Sequence, residues 1–207
     1  PTLKAPESSA VPRKVLSGIK HQPTATQLDI HEAAKTRSDP ALDKALAAYE
    51  AGIDQTDPLA AFQVTLAGGN AGRGKSIFFR NGAAQCRQCH KVGNRGGDAG
   101  PNLQGLGGKR DAKYILESII APSAKLSPGY SPVAVTMKDG KVVSGMLMKQ
   151  TDTEVVLRNP ETKEDTVCKK SDIANMPPVM STMPPMGAIL SKSQIRDLVA
   201  YLSSLKK

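Results

Sequence analysis

Two thiols and an imidazole stand close together in the short stretch CRQCHK, residues 86–91. Cys86 and Cys89 are three residues apart, so one turn of helix places both thiols on the same side. His90 follows directly, and its ring nitrogen can bind a metal ion. The spacing C-x-x-C-H is typical of a covalent haem c site, in which the thiols bind the two vinyl groups and the imidazole binds iron.

The same residues would also fit two other kinds of site. A zinc site needs two more ligands, and the candidates, Cys168 and His31, stand alone in the sequence. A redox dithiol would not require the histidine. We therefore predict one haem c, attached covalently through Cys86 and Cys89, with His90 as an iron ligand and no catalytic residue.

A second motif, which is typical of nucleotide binding, conflicts with the interpretation as a haem site. Gly69 to Ser76 has the sequence GNAGRGKS and matches the phosphate-binding pattern G-x-x-x-x-G-K-[ST]. Such a loop needs a strand before it, a long helix after it and a parallel sheet. Asn81 and Gly82 end the following helix early, and the later strands pair as hairpins. A P-loop nucleotide-binding module that uses Lys75 is kept as an alternative; otherwise we expect the glycines to end one helix and pack another.

Four methionines crowd one loop in the stretch NMPPVMSTMPPMGAIL. A thioether sulfur is a soft ligand that suits low-spin haem iron. Proline residues on both sides stiffen the loop and prevent it from forming a helix or a central strand. A second axial ligand is therefore expected from the methionines of this loop: Met176, Met180, Met183 and Met186.

The chain has three parts that differ in composition, and they contain the elements that must position these residues. Residues 1–28 are rich in Pro, Ser, Thr and Lys, which predicts an extended or disordered arm. Residues 29–68 predict short helices, as at the end of a helical-repeat region, with Asp39 as one cap and Gly52 as a stop signal. Residues 69–207 form the third part, which ends in an amphipathic helix with Ser191 as its N-cap.

Within that third part, residues at about 130–175 have a different sequence pattern. Apolar residues alternate with polar ones, and Asp139-Gly140 stands between two such runs as a hairpin signal. We predict four strands that form a small antiparallel sheet or open barrel, inserted into an otherwise helical domain.

The composition indicates which classes of partner the protein can bind. Of 207 residues, 28 are basic and 19 acidic, which leaves a net charge of +9 and favours an acidic partner. Aromatic residues make up 3%, and few lie near the charges, so we expect no nucleic-acid binding. No apolar run is long enough to span a membrane. The chain begins at Pro1, which is consistent with a removed leader or with a piece of a longer chain.

From about Gly69 to Lys207 the chain resembles a class I c-type cytochrome domain. The resemblance is carried by GKSIFF, CRQCHK, GPNLQGLGGK, the Met-Pro loop and DLVAYLSSL. The order of APSAKLSPGY, KDGKVVSG and STMPPMG is similar to the haem-binding domain common in planctomycetes and verrucomicrobia. The resemblance implies a mainly α fold class: the class I cytochrome c helical fold with an inserted antiparallel sheet, preceded by short helices.

The resemblance also implies roles for individual residues. The second axial ligand is the Met of Ser-x-Met-Pro, which is Met183, with Met186 as the fallback. The Pro101 carbonyl accepts a hydrogen bond from His90 Nδ1, which orients the ring. The first and last helices of the domain cross where Gly74 and Phe78 meet Leu198 and Tyr201. Residues that would line the porphyrin, or equally well form ordinary core, are Leu103, Leu106, Ile115 and Ile119.

The function that this resemblance implies is electron transfer by a mono-haem cytochrome, in which the domain itself is not an enzyme. It would be the C-terminal electron-accepting domain of a larger dehydrogenase, in the periplasm or otherwise outside the cytoplasm. An acidic redox partner would dock near Arg87 and Lys91. The alternative is a haem protein with an open or displaceable sixth site, such as a gas sensor or a peroxidase-like protein.

Overall fold

The computed structural model describes Gly18 and residues 21–207. The arm predicted for residues 1–28 falls mostly on positions 1–17, 19 and 20, which lie outside the described residues. The first helix begins at Thr24, inside the range predicted for the arm. The chain folds into two compact units. The helical unit consists of the described residues up to Cys86 with Leu103–Ala121 and Met186–Lys207, and the sheet unit of Arg87–Asn102 and Pro122–Pro185.

Short helices build the helical unit. Its elements are α1 Thr24–Lys35, α2 Pro40–Ala51, a 3-10 helix Ala60–Thr65, α3 Ala71–Arg80, α5 Leu106–Lys109, α6 Ala112–Ile120, a second 3-10 helix Met186–Ala188 and α7 Lys192–Ser204. A one-turn helix, α4 Cys86–Cys89, stands at the sequence boundary between the two units.

Local sequence signals explain where these helices begin and end. The Asp39 carboxylate accepts hydrogen bonds from the first turn of α2, in which Pro40 is the first residue, and Gly52 follows the last. Ser191 caps α7 and exchanges hydrogen bonds with Gln194 in a capping box. These predicted ends are confirmed, whereas the last of the short helices within residues 29–68 is a 3-10 helix, Ala60–Thr65.

The predicted crossing of two helices is also confirmed. A Cβ atom added at Gly74 in α3 would lie 2.7 Å from Tyr201 Cβ in α7 and still closer to Asp197 O, so only glycine permits this approach. The rings of Phe78 and Tyr201 are tilted, with centroids 5.8 Å apart. Leu198 is 2% exposed beside them. This crossing forms the centre of the helical unit.

Five antiparallel strands build most of the sheet unit: β3 Pro132–Met137, β4 Val142–Gln150, β5 Glu154–Arg158, β6 Asp165–Lys169 and β7 Ile173–Asn175. Their order is β6-β5-β4-β3-β7. β3 and β4 are joined by the predicted turn, in which Gly140 has a φ of 85°. The strands fall within the predicted range of 130–175 and number five rather than four. Two further short strands, β1 Lys91–Val92 and β2 Arg95–Gly96, pair with each other.

The predicted fold class is wrong. Among the described residues, 41% lie in helices and 17% in strands, so this is not a mainly helical class I cytochrome c fold with a minor insertion. The physical reason is that the strands have a hydrophobic core of their own and make a compact unit. That core consists of Val133, Val135, Val155, Leu157 and Cys168.

Candidate functional site

The thiols of the C-x-x-C-H motif lie on the single turn of α4. Cys86 is half-buried and Cys89 is exposed, and all three cysteines of the chain are thiols. Gln85, directly before the motif, has a φ of 47°, which is unusual for a residue with a side chain. Asn81 Oδ1 accepts hydrogen bonds from the N–H groups of Ala83 and Ala84 and so fixes the turn that leads into the motif.

The chain after the motif returns to it and forms hydrogen bonds with its backbone. The β1–β2 hairpin reverses the chain, and Gly97 N–H then donates to Arg87 O at 2.9 Å. Gly100 N–H donates to Cys89 O at 2.7 Å. A helix of one turn leaves its carbonyl groups without helical partners. The returning chain supplies those partners and therefore holds α4 in place.

His90 has a fixed orientation. Its Nδ1 lies 2.9 Å from Pro101 O, in the hydrogen bond that the family resemblance implies. A proline carbonyl can only accept, so Nδ1 carries the proton and Nε2 presents a lone pair. Burial lowers the pKa of His90, and the hydrogen bond to Pro101 only partly opposes this effect. The neutral ring, which can bind a metal ion, is therefore the form present near neutral pH.

Gly100 restricts the position of the same ring, which the sequence reasoning did not foresee. A Cβ atom at Gly100 would lie 2.8 Å from His90 Cε1 and 3.0 Å from His90 Nδ1. Contacts this short would force the imidazole to move. The available sequence signal was the glycine directly before Pro101 in GPNL.

The Met-Pro loop, residues 176–185, is attached at several points within the sheet unit. Met176 and Val179 pack against the sheet core. Ser181 N–H donates to Ser123 Oγ at 3.1 Å, and Met183 N–H donates to Ser181 Oγ at 3.1 Å. The backbone at Met183 and just before it is therefore held by two hydrogen bonds.

The methionines of this region differ in exposure. Met186 is 4% exposed and belongs to the core of the helical unit, whereas Met180 is 66% exposed. Met183 is half-buried. A side chain that already fills a core is a packing residue, and one in solvent lacks surroundings that would hold it. Met183 therefore differs from both: it is half-buried, and its backbone N–H is held by Ser181.

The other predicted site residues fall into separate environments. Ile115 and Ile119 are buried core residues of α6, whereas Leu103 and Leu106 are half-buried. Lys91, expected in a docking surface, pairs with Asp98 at 2.7 Å, so its charge is compensated. Arg87, expected in the same surface, is exposed.

The segment that matches the phosphate-binding pattern is mostly helical. Asn70 caps α3, which begins at Ala71, and a 3-10 helix rather than a strand precedes it. Lys75 is exposed on this helix. Gly74 lies against α7, where the packing of two helices explains the glycine. The segment does not form a loop that could surround a phosphate group.

The remaining candidates for metal binding are separated. Cys168 is 2% exposed in the sheet core, and burial raises the pKa of its thiol, with Lys141 opposing. It is a packed thiol of that core. In the part of the chain that the structure describes, no group of three or more His, Cys, Asp and Glu side chains is placed to hold a metal ion. Among the helices of residues 21–207, none is long and apolar enough to cross a membrane.

No protein-family model matches the chain, and a search of curated proteins finds no significant match. The membership of a family is therefore not established by comparison, and the motifs and their geometry carry the functional interpretation.

Proposed function

We propose that this chain binds one haem c covalently and transfers single electrons. The observation that carries the proposal is the arrangement at α4: two thiols on one helical turn, followed by an imidazole held by Pro101 O with its Nε2 lone pair available. The residues fit the group chemically, because thiols form the thioether links and a neutral imidazole binds iron. When bound, the haem supplies a one-electron couple between ferric and ferrous iron.

The residues of the chain would restrict the bound haem to electron transfer and exclude reactions with a substrate. His90 and Met183 would both hold the iron, which would leave no position for a substrate. The hydrogen bond from His90 Nδ1 to Pro101 O would make the imidazole a stronger donor to iron. The hydrogen bonds of Gly97 and Gly100 to α4 would keep the thiols and the imidazole in place.

The finer parts of the proposal come from the family resemblance. The chain would be the C-terminal electron-accepting domain of a larger dehydrogenase, with an acidic redox protein as its partner. Covalent haem attachment takes place outside the cytoplasm, so the domain would be periplasmic or otherwise extracytoplasmic. A test of this location is whether haem is attached only when the chain is exported.

The first test is the visible spectrum of exported protein, with Met183→Ala and Met186→Ala as matched variants. We expect a pyridine haemochrome with two thioether links and, in the ferric protein, the weak long-wavelength band of Met-ligated iron. Met183→Ala should lose this band and bind carbon monoxide rapidly when reduced, because it opens the sixth position.

The Met186→Ala variant should keep the spectrum and lose about 2–5 kcal/mol of stability, since it creates a cavity in the core. Met180→Ala should change neither property. Protein without haem after export would end the proposal. A wild type that binds carbon monoxide as fast as Met183→Ala would favour the gas-sensor or peroxidase-like alternative, and a band lost only in Met186→Ala would move the ligand to Met186.

A further inference from the structure

Cationic side chains gather in the helical unit where α5 approaches the end of α7. A Cβ atom at Gly107 would lie 2.8 Å from Leu202 O, and one at Gly108 would lie 2.8 Å from Lys206 O. Lys206 Nζ donates to Gly107 O at 2.7 Å. The two glycines thus bring the end of the chain beside the residues that follow α5. We call the resulting group the cationic cluster: Lys109, Arg110, Lys113, Lys206 and Lys207.

The charge of the cationic cluster is not compensated by ion pairs. All five side chains are exposed, and among the described residues no ion pair includes any of them. The segment Leu103–Ala121 contains two acidic residues, Asp111 and Glu117, whose charges offset only part of the five positive charges. The cluster therefore creates a positive potential that extends into solvent.

Helix stability accounts for only part of this arrangement. Asp111 caps the N-terminus of α6, and its carboxylate is the negative group that the helix dipole favours there. Lys113 lies in the first turn of the same helix and gains nothing from the dipole.

The surroundings of the cluster indicate the class of partner. The large hydrophobic side chains recorded as exposed, Val142, Val167, Met180 and Ile189, belong to other segments. The cluster therefore lacks the apolar anchors typical of a membrane-binding surface. The ring of Tyr114 is covered by the Arg110 guanidinium at 4.6 Å, so it is not presented for stacking on a base.

We infer that the cationic cluster is the docking surface for an acidic protein that exchanges electrons with this chain. The electron transfer in this inference rests on the proposed function, whereas the binding of the partner does not. Charge contacts without an apolar centre give fast and weak association, which suits a carrier that must release its partner after each transfer.

The experiment uses an acidic plant-type [2Fe–2S] ferredoxin as the probe. One electron passes from the reduced [2Fe–2S] centre of the ferredoxin to ferric haem iron, leaving the ferredoxin oxidised. The variant Lys109→Glu/Lys113→Glu/Lys207→Glu is compared with the control Lys44→Glu/Lys75→Glu/Lys138→Glu, which changes exposed lysines elsewhere by the same total charge. Binding of oxidised ferredoxin and the rate of reduction by reduced ferredoxin are measured at low and high salt.

We expect the cluster variant to associate at least about ten-fold more slowly than wild type at low salt, and the control to stay within about three-fold. At about 1 M salt the difference should disappear because the charges are screened. An equal loss in both variants, or no loss in the cluster variant, would overturn the inference. So would cluster-dependent binding to phosphatidylglycerol vesicles with no binding of ferredoxin. Normal cluster-dependent binding without electron transfer would support the docking surface and contradict the proposed function.

Discussion

At the scale of single residues, the site depends on small groups around His90. The imidazole is held from one side by Pro101 O and restricted on another by the absence of a side chain at Gly100. Gly100 also donates its N–H to Cys89 O. One residue therefore fixes both the helical turn that carries a thiol and the ring that would bind iron, which is the preorganisation that a metal site needs.

Gly100→Ala should disturb this arrangement. The added methyl group would meet the His90 ring and either displace it or strain the backbone, with a loss of about 1–3 kcal/mol in stability. Urea unfolding measures the loss, and the slowly exchanging His90 Nδ1 proton in an NMR spectrum reports the hydrogen bond to Pro101. Gly82→Ala is the control, because nothing lies within 4 Å of its added Cβ atom. A variant with unchanged stability and an unchanged proton signal would contradict this account.

At the scale of elements, the helical unit is organised by α7. This helix meets α3 through Gly74 and also holds charged groups in its buried face. Asp197, which is 4% exposed, accepts hydrogen bonds from Arg73 Nε at 2.5 Å and from Asn70 N–H at 2.7 Å. Burial alone would raise the pKa of Asp197, but these hydrogen bonds and the nearby Arg charges outweigh it, and the pKa is lowered. The carboxylate thus stays ionised and fixes the start of α3.

Gly74→Ala should separate the two helices. Its Cβ atom would overlap the backbone of α7, which cannot move as a side chain can, so we expect a loss of at least about 2 kcal/mol in the free energy of unfolding. Gly72→Ala, in the same helix, meets only Asn70 Oδ1 at 3.2 Å and should be neutral or stabilising by up to about 1 kcal/mol. Denaturant titration compares them, and equal stabilities would contradict the close packing of α3 on α7.

At the scale of the whole molecule, each compact unit has a hydrophobic core, and the helical unit also buries a histidine. His31 is 4% exposed, and its Nε2 lies 3.1 Å from Glu50 Oε1, while Lys35 Nζ lies 2.8 Å from the same oxygen. Burial lowers the pKa of His31, as do the charges of Lys35 and Lys192, and Glu50 only partly opposes them.

This histidine should make the stability of the protein depend on pH. The folded state binds the proton less readily than the unfolded state, so the contribution of neutral His31 is present above about pH 6.5 and is lost as the pH falls below it. The difference in stability between wild type and His31→Gln should therefore shrink between about pH 7 and pH 5. Urea unfolding at several pH values measures it; contributions of other groups are common to both proteins. A difference that stays constant with pH would contradict the lowered pKa.

Features that depend on neighbouring residues were predictable from the sequence. The C-x-x-C-H motif, the Asp39 and Ser191 caps and the Asp139-Gly140 turn are recognisable because each acts over a few residues. The helix crossing at Gly74 was predicted through the family resemblance. The strands were also predicted from their alternation, but the fold class was not, because alternation does not reveal that the strands share a separate core.

The tertiary structure decided what depends on distant segments. It buried Met186 and left Met183 half-buried, paired Lys91 with Asp98, and brought Lys206 and Lys207 beside Lys109. Burial and local potential are set by the atoms that surround a side chain, and most of those atoms belong to residues far away in the sequence. The motif alone therefore predicts the chemistry of the thiols and the imidazole, whereas the packing determines which methionines are buried and where the exposed cations lie.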